Sequence, residues 1–173
     1  GGSRFVGATH KLLTPFRGRP LWMWAVAAAG AAGLDEVMVV TGAAELAVPE
    51  GVTVVANAAW DRGQASSLRA GIDAAADAGH DAVVIGLADS PLVPPEAWRA
   101  VGAATATPIA VADYAGRRAP PVRLAKQVWP LLPTAGDAGA RALLAARPDL
   151  VTAVRCTGVP GDIDTVEDLA RWS

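Results

Sequence analysis

A single stretch, Asp81–Pro91, constrains the fold of this chain more than any other. It reads Asp-Ala-Val-Val-Ile-Gly-Leu-Ala-Asp-Ser-Pro, so seven uncharged residues separate Asp81 from Asp89. A continuous apolar run bounded by turn-forming residues indicates a strand that is buried on both faces of a sheet. Asp89 is therefore predicted at the carboxyl end of a central parallel strand, where open α/β sheets bind ligands. Capping of the following turn is the alternative role for Asp89.

Strand and helix patterns alternate along the rest of the chain. Apolar runs predict further strands at 37–40, 52–56, 109–113 and 150–155. Helical spacing predicts helices at 20–32, 64–78, 95–104, 123–132 and 140–146, with a last helix from Thr165, and residues 116–121 are predicted to form a basic turn. This alternation is typical of βαβ units, which build a mostly parallel sheet with helices on both faces. With no repeat and no linker, we expect one domain, 1–173.

Composition narrows the classes of function. The net charge is −2 and the basic residues are scattered, which argues against nucleic acid as a partner but not against a small phosphate. Hydrophobic residues make up 52% of the chain, yet its longest alanine-rich stretch, 21–34, is too short to span a bilayer. The single cysteine, Cys156, excludes an intramolecular disulfide and a cysteine-cluster metal site. A cytoplasmic location is expected, and no membrane association.

The glycine-rich opening is a candidate anion site. Residues 1–7 read Gly-Gly-Ser-Arg-Phe-Val-Gly, in which backbone amides can approach an anion closely while Arg4 and Lys11 supply positive charge. The segment lacks the Gly-Lys-Ser/Thr ending of a Walker A motif. Further along, Ser66 and Ser67 open the predicted helix 64–78. They are either N-caps of that helix or neighbours of a ligand that binds its first amides.

Carboxylates follow two separate strands of the predicted sheet. Asp89 follows the central strand, and Asp162 and Asp164 follow the last one. Magnesium in nucleotide sites takes one or two protein carboxylates and leaves its other positions to water and phosphate oxygens. Carboxylates opposite a basic, glycine-rich loop therefore suit Mg²⁺ bound to nucleotide phosphates. The alternative is that Asp162 and Asp164 cap the last helix.

Taken together, these segments resemble the nucleotidyltransferases of molybdenum cofactor maturation, particularly the cytidylyltransferase branch. The likeness covers nearly the whole chain, and several matches in the same order are more specific than any single motif. By this likeness, the first strand of the fold is expected upstream of residue 1. The matching segments are 1–5 with 11–13 (family S-R-F-G and K-L-L), 63–71 (G-x-S-S-S-L-R-x-G), 87–91 (G-D-x-P), 136–141 (G-D-x-G-A-R) and 162–169 (D-I-D-T-P-E-D-L).

The resemblance implies a three-layer αβα fold, with a mostly parallel, Rossmann-like sheet of the nucleotide-diphospho-sugar transferase type. It also implies a reaction in which a phosphate oxygen of the acceptor attacks the α-phosphate of the nucleotide and expels pyrophosphate. CTP is preferred to GTP as the donor. The implied roles are catalysis by Arg4, Lys11 and Asp89, nucleotide binding by Gly1, Gly2, Ser3, Arg4, Lys11, Ser66, Ser67 and Asp89, and Mg²⁺ binding by Asp89 and Asp164.

The acceptor implied by the resemblance is a molybdopterin-type cofactor, with a molybdoenzyme or its chaperone as a further partner. Two departures from the family pattern bear on this site. Ala88 replaces the glycine before the metal aspartate, and Pro120 replaces the histidine of a G-H-P turn on the acceptor side. Two other functions stay open at this point. One is transfer to a different phosphorylated acceptor, and the other is a non-catalytic accessory protein that binds a nucleotide or cofactor.

Overall fold

The computed structural model describes residues 11–43, 46–163, 168 and 172. Its strands are β1 (Pro15–Phe16), β2 (Arg19–Pro20), β3 (Val37–Thr41), β4 (Val52–Ala56), β5 (Ala82–Ile85), β6 (Ile109–Tyr114), β7 (Arg117–Ala125) and β8 (Val151–Arg155). Its α-helices are α1 (Leu21–Gly30), α2 (Gln64–Asp77), α3 (Pro95–Ala103) and α4 (Arg141–Ala146). Short 3-10 helices lie at Lys11–Leu13, Trp60–Arg62, Lys126–Leu131 and Pro148–Leu150.

The largest sheet of the described residues has the strand order β5-β7-β6-β8. Strands β6 and β8 pair in parallel, while β7 pairs antiparallel with both of its neighbours, β5 and β6. Strands β5, β6 and β8 therefore run in the same direction. Strands β3 and β4 form a separate parallel pair, and β1 and β2 form a small antiparallel hairpin. The predicted α/β fold with a mostly parallel sheet is confirmed.

Strand β6 shows how the three layers are built. Its side chains alternate between the two faces of the sheet, as the pleat requires. Ala110 and Ala112 pack in one core cluster with residues of α1 and α3. Ile109 and Val111 pack in a second cluster with residues of α2 and α4. The sheet is therefore covered by helices on both faces, which is the predicted αβα arrangement.

Strand β5 carries the chain to the candidate site. Its side chains also alternate, because Val84 packs against the first cluster while Val83 and Ile85 pack against the second. The strand was predicted to be buried on both faces; both faces do pack against core clusters, but its four residues are only partly buried. The strand is shorter than its apolar run, however, and residues 86–88 already belong to the loop that leads to Asp89. The prediction of a central parallel strand is corrected for the described residues, because there β5 lies at the end of the four-stranded sheet and its neighbour is the antiparallel strand β7.

Strand β7 corrects two predictions, the turn at 116–121 and the helix at 123–132. The turn is limited to Ala115 and Gly116, and β7 runs from Arg117 to Ala125 before the 3-10 helix begins. Prolines inside a strand argue against it, because they cannot donate to the hydrogen-bond ladder. Here Pro120 and Pro121 lie in a register shift opposite Val111 and Ala112, and the pairing with β5 stops at Val122. Neither proline therefore removes a ladder hydrogen bond.

Among the described residues, every helix is too short or too polar to cross a bilayer.

Candidate functional site

The centre of the candidate site is an ion pair between Lys11 and Asp89. The Lys11 Nζ lies 2.7 Å from Asp89 Oδ2, although 78 positions separate the two residues in the chain. The 3-10 helix at Lys11–Leu13 places the lysine, and the loop after β5 places the aspartate. The lysine side chain is 2% exposed and the aspartate side chain 25%. The structure thus brings together two residues that were predicted to share a site.

This pair leaves room for a divalent cation on the aspartate. Asp89 Oδ2 accepts from Lys11, whereas Oδ1 has no hydrogen-bond donor among the described residues. Those residues hold no cluster of three or more His, Cys, Asp or Glu side chains that could enclose a metal ion. One or two carboxylate oxygens completed by water and phosphate oxygens is the coordination typical of Mg²⁺ in nucleotide sites. The donor set therefore fits a cation that binds together with its nucleotide.

The segment after β8 is attached to the same loop at two points. Ser90 Oγ donates a hydrogen bond to Asp162 Oδ1 at 2.6 Å. The backbone amide of Ile163 donates to the Asp89 carbonyl at 3.0 Å, and the Ile163 side chain is fully buried. We call these contacts the 162–163 clasp. Asp162 thus accepts a hydrogen bond from Ser90, the residue that follows the candidate metal ligand Asp89.

Five of the predicted site residues cannot be placed. Gly1, Gly2, Ser3, Arg4 and Asp164 lie outside the described residues, so their roles stay predictions. The clasp does bring Ile163, the chain neighbour of Asp164, into contact with Asp89.

The two serines at the start of α2 differ in their hydrogen bonds. Ser66 Oγ lies 2.8 Å from the Ala59 carbonyl and 2.9 Å from the Gly63 carbonyl, so its proton is used within the protein. Ser67 Oγ accepts a hydrogen bond from Asn57 Nδ2 at 3.1 Å and has no acceptor for its own proton among the described residues. The Ser67 hydroxyl is therefore available as a donor.

Asn57 organises both serines and was missed by the sequence analysis. Its Nδ2 also donates to Ser66 Oγ at 2.9 Å, while its Oδ1 accepts from the Ala59 amide at the same distance. The residue is only 8% exposed. Its position directly after β4 was the available signal, since polar residues at the carboxyl ends of parallel strands line ligand sites.

The prediction that Ser66 or Ser67 caps helix α2 is wrong. The helix begins at Gln64, so the serines lie within its first turn, and the N-cap residue Gly63 has a φ of 95° that favours glycine. The first amides are instead satisfied by the 136–141 motif. The Asp137 carboxylate accepts from the Gln64 amide at 3.3 Å, and the Gly136 carbonyl accepts from the Ala65 amide at 2.9 Å. Two segments that resemble the family pattern, 63–71 and 136–141, therefore contact each other.

The proline pair of β7 reaches the loop that precedes Asp89. Pro120 and Pro121 line a small recess together with Gly86 and Ser90. Tyr114 Oη donates to the Pro120 carbonyl at 3.1 Å, and burial raises the pKa of Tyr114, so this hydroxyl stays protonated as a donor. The departure from the family pattern at Pro120 thus lies beside the candidate site.

Known proteins resemble this chain in sequence and in structure. The model of the MobA-like NTP transferase domain matches residues 1–151. Nicotine blue oxidoreductase from Paenarthrobacter nicotinovorans is 31% identical over 188 aligned residues, which cover 99% of this chain and 91% of that protein. Both comparisons extend over most of the chain.

Solved structures give the same result. Rv0371c from Mycobacterium tuberculosis H37Rv is 30% identical with a TM-score of 0.79, over 99% of this chain and 92% of that one. Its complex with manganese matches with 26% identity and a TM-score of 0.72, over 97% and 93%. A nucleotidyl transferase from Methanothermobacter thermautotroptrophicus is 25% identical with a TM-score of 0.79, over 94% and 83%. The predicted nucleotide-diphospho-sugar transferase type of fold is confirmed.

Proposed function

Since the chain belongs to the family of the MobA-like NTP transferase domain and is a nucleotidyltransferase, we propose that it transfers CMP from CTP to a molybdopterin-type cofactor. The acceptor's phosphate receives the CMP, and pyrophosphate is released in a Mg²⁺-dependent reaction. The observation that carries the proposal is the 2.7 Å contact between Lys11 and Asp89, which joins the signature loop to the strand end. Nucleotidyl transfer needs a positively charged side chain that binds the triphosphate and a carboxylate that binds the metal ion, and the two must lie next to each other.

The reaction requires little covalent chemistry from the protein. An oxygen of the acceptor phosphate forms a bond to the α-phosphorus in line with the leaving group. The bond from that phosphorus to the bridging oxygen breaks, and pyrophosphate leaves with the electron pair. Catalysis of such a transfer rests on positioning and on stabilising the charge of the phosphate oxygens.

Each candidate residue has a part in that positioning. Arg4, Lys11 and the loop Gly1–Ser3 hold the triphosphate, and Asp89 and Asp164 hold the metal. A divalent cation held by these carboxylates would supply positive charge for the phosphate oxygens. The Lys11 ammonium group donates to the Asp89 carboxylate. It would therefore lie next to both the triphosphate and a metal ion bound by Asp89. The manganese complex of Rv0371c supports a divalent cation in this family.

The Ser67 hydroxyl supports CTP as the donor nucleotide. Its oxygen accepts from Asn57 and its proton has no acceptor among the described residues, so the hydroxyl can donate to a ligand. The pyrimidine edge of cytosine offers two adjacent acceptors, O2 and N3, whereas the corresponding edge of guanine carries N–H donors at N1 and N2. The free proton of the Ser67 hydroxyl can therefore be donated to O2 or N3 of cytosine.

The test is pyrophosphate release with CTP, GTP, ATP or UTP, with Mg²⁺ or Mn²⁺, and with a molybdopterin-type acceptor. We expect release that depends on both CTP and the acceptor. Pyrophosphate release with a different phosphorylated acceptor would support nucleotidyl transfer but contradict the molybdopterin-type acceptor. Tight CTP binding without release on any acceptor would instead indicate an accessory binding protein.

The similarity to nicotine blue oxidoreductase favours a second candidate, reduction of nicotine blue. The chain has one thiol, Cys156, and burial raises its pKa, so it stays protonated near neutral pH. Such a reaction would therefore need a soluble electron donor such as a reduced nicotinamide. Loss of the nicotine blue absorbance in an anaerobic assay with NADH or NADPH would establish this activity. No loss above the enzyme-free rate would exclude it under those conditions.

A further inference from the structure

A second cleft lies beside the chain segment that follows Asp89. It has a volume of about 390 Å³ and opens between the β1–β2 hairpin, helix α1 and residues 91–95. This volume is within the range of small-molecule sites. We call it the arginine cleft, because Arg17, Arg19 and Trp24 line one side and the apolar segment Pro91–Pro95 lines the other. Neither Lys11 nor Asp89 lines it.

The guanidinium group of Arg19 is held in place by aromatic stacking. Its central carbon lies 3.6 Å from the centroid of the Trp24 ring. The Trp24 indole is fixed in turn, because its Nε1 donates to the Phe16 carbonyl at 2.9 Å and its ring meets the Phe16 ring edge-on. Stacking uses the flat face of the guanidinium and leaves its N–H groups for hydrogen bonds. The Arg19 side chain is thus preorganised to donate.

Those donors lack acceptors in the described part of the protein. The Arg19 Nε is buried and has no hydrogen-bond partner there. No carboxylate of the described residues forms an ion pair with Arg19 or Arg17. Buried donors are almost always satisfied by protein, water or ligand. The two guanidinium groups therefore bring positive charge without a described carboxylate partner to the cleft, which favours an anionic ligand.

Arg17 adds a second cation in an unusual backbone conformation. It is the first residue of the two-residue turn Arg17–Gly18, with φ values of 46° and 84°. Hairpin turns of this kind favour Asn-Gly, because both residues need positive φ. An arginine there is disfavoured locally, and such outliers concentrate at functional positions. Its guanidinium carbon lies 5.1 Å from the Phe16 ring centroid.

We propose that the arginine cleft binds an organic phosphate. Arg17 and Arg19 contact the phosphate oxygens, while the carbon part of the ligand packs on Trp24 and on the segment Pro91–Pro95. A phosphate group offers three terminal oxygens and can engage two guanidinium groups at once, which a carboxylate with two oxygens does less completely. The apolar wall explains why the ligand is an organic phosphate rather than the free ion.

The experiment measures binding of phenyl phosphate and of inorganic phosphate to the full chain by calorimetry, without metal or nucleotide. We expect phenyl phosphate to bind at least tenfold more tightly than inorganic phosphate. The variant Arg19→Met keeps an unbranched apolar stem but removes the stacked, charged guanidinium group, and it should weaken phenyl phosphate binding at least tenfold. Arg155→Met is the matched control, since Arg155 is an exposed arginine remote in sequence from the cleft, and it should bind like the wild type.

A second variant protects the test against a folding defect. Arg19→Lys keeps the positive charge in the hairpin but removes the planar fork, and it should also bind phenyl phosphate more weakly. Circular dichroism and the melting temperature show whether each variant is folded. Equal affinity of the wild type and a folded Arg19→Met variant would overturn the proposal. So would equal affinity for phenyl phosphate and inorganic phosphate.

Kinetics then identify the source of the phosphate. Competition of phenyl phosphate with the acceptor substrate would mean that the cleft receives the acceptor, in which case the inference rests on the proposed transferase function. A change in rate without competition would mean that a separate effector binds there. Competition with CTP would overturn the proposal, because the cleft would then belong to the nucleotide site. Calorimetry measures phosphate binding without nucleotidyl transfer. Failure of the arginine-cleft proposal is therefore distinguishable from failure of the proposed transferase function.

Discussion

Lys11 and Arg19 are both cations at the edge of a site, yet their surroundings are opposite. The Lys11 ammonium is 2% exposed and has a carboxylate at 2.7 Å. The Arg19 guanidinium stacks on an indole and has no carboxylate partner among the described residues. Asp89 neutralises the charge of Lys11 in the absence of a ligand. An anionic ligand that binds Lys11 would therefore have to replace or share the contact with Asp89. The second charge is uncompensated, so a ligand adds the missing anion.

The largest effect is expected at the neutralised pair. Asp89→Asn should reduce pyrophosphate release by a factor of about 10²–10³, by analogy with removal of one charge-stabilising contact. The amide keeps the size of the side chain but removes the negative charge for the cation. Asp149→Asn is the control, since Asp149 is an exposed carboxylate paired with Arg147. Unchanged release in Asp89→Asn would contradict the metal assignment.

A thermodynamic cycle tests the pairing itself. The variants Lys11→Met and Asp89→Asn, alone and combined, should show a coupling of about 1–3 kcal/mol in the free energy of unfolding. The reason is that the contact is short and the lysine is buried. Urea denaturation measures all four proteins. The same cycle on the exposed pair Arg147 and Asp149 should give a smaller coupling, and similar couplings would show that burial of Lys11 does not matter.

The comparison extends to the hydroxyl groups at the start of α2. Ser66→Ala should lower the free energy of unfolding by about 1 kcal/mol, because it removes hydrogen bonds to the Ala59 and Gly63 carbonyls. Ser67→Ala should instead weaken CTP binding roughly five- to tenfold, because the donor that it removes is free for a ligand. Denaturation and calorimetry on both variants separate the two roles. A stability loss confined to Ser67→Ala would reverse the assignment.

The smallest effect concerns the backbone at Arg17, the second arginine of the cleft. Arg17→Asn should raise the free energy of unfolding by a few tenths to about 1 kcal/mol, because asparagine tolerates the left-handed region better. The same change should weaken phenyl phosphate binding to the arginine cleft. Thermal denaturation and calorimetry give the two values. If the variant is less stable than the wild type, the φ of 46° at Arg17 does not store strain.

The sequence predicted most of the elements, and the exceptions have physical causes. Helices α1, α2 and α3 lie within about three residues of their predicted ends, because apolar spacing, glycine and proline mark them. Strand β7 was missed because its prolines argue against a strand unless the bulge is known. The bulge depends on partners in β6, which are distant in sequence. Local patterns do not contain that information.

The site was predicted through motifs rather than through geometry. Lys11 and Asp89 were predicted to share a site because two family segments contain them. Asn57 belonged to no such segment, and its role depends on hydrogen bonds to two serines in a helix that follows a loop. The contact of Asp137 with the first amide of α2 is likewise a tertiary feature, between residues 73 positions apart. Sequence patterns pointed to Lys11 and Asp89, but they did not point to Asn57 or to the tertiary hydrogen bonds that connect these segments.

The 162–163 clasp has a practical consequence. The family match ends at residue 151, yet the Ile163 amide donates to the carbonyl of Asp89 itself. In a ¹⁵N-labelled sample, that single amide gives a resonance whose shift and solvent exchange respond to changes at Asp89. It is a spectroscopic reporter of the strand end that requires neither a chemically attached probe nor a substitution. Titration with Mg²⁺ and nucleotide can therefore be followed from the far end of the chain.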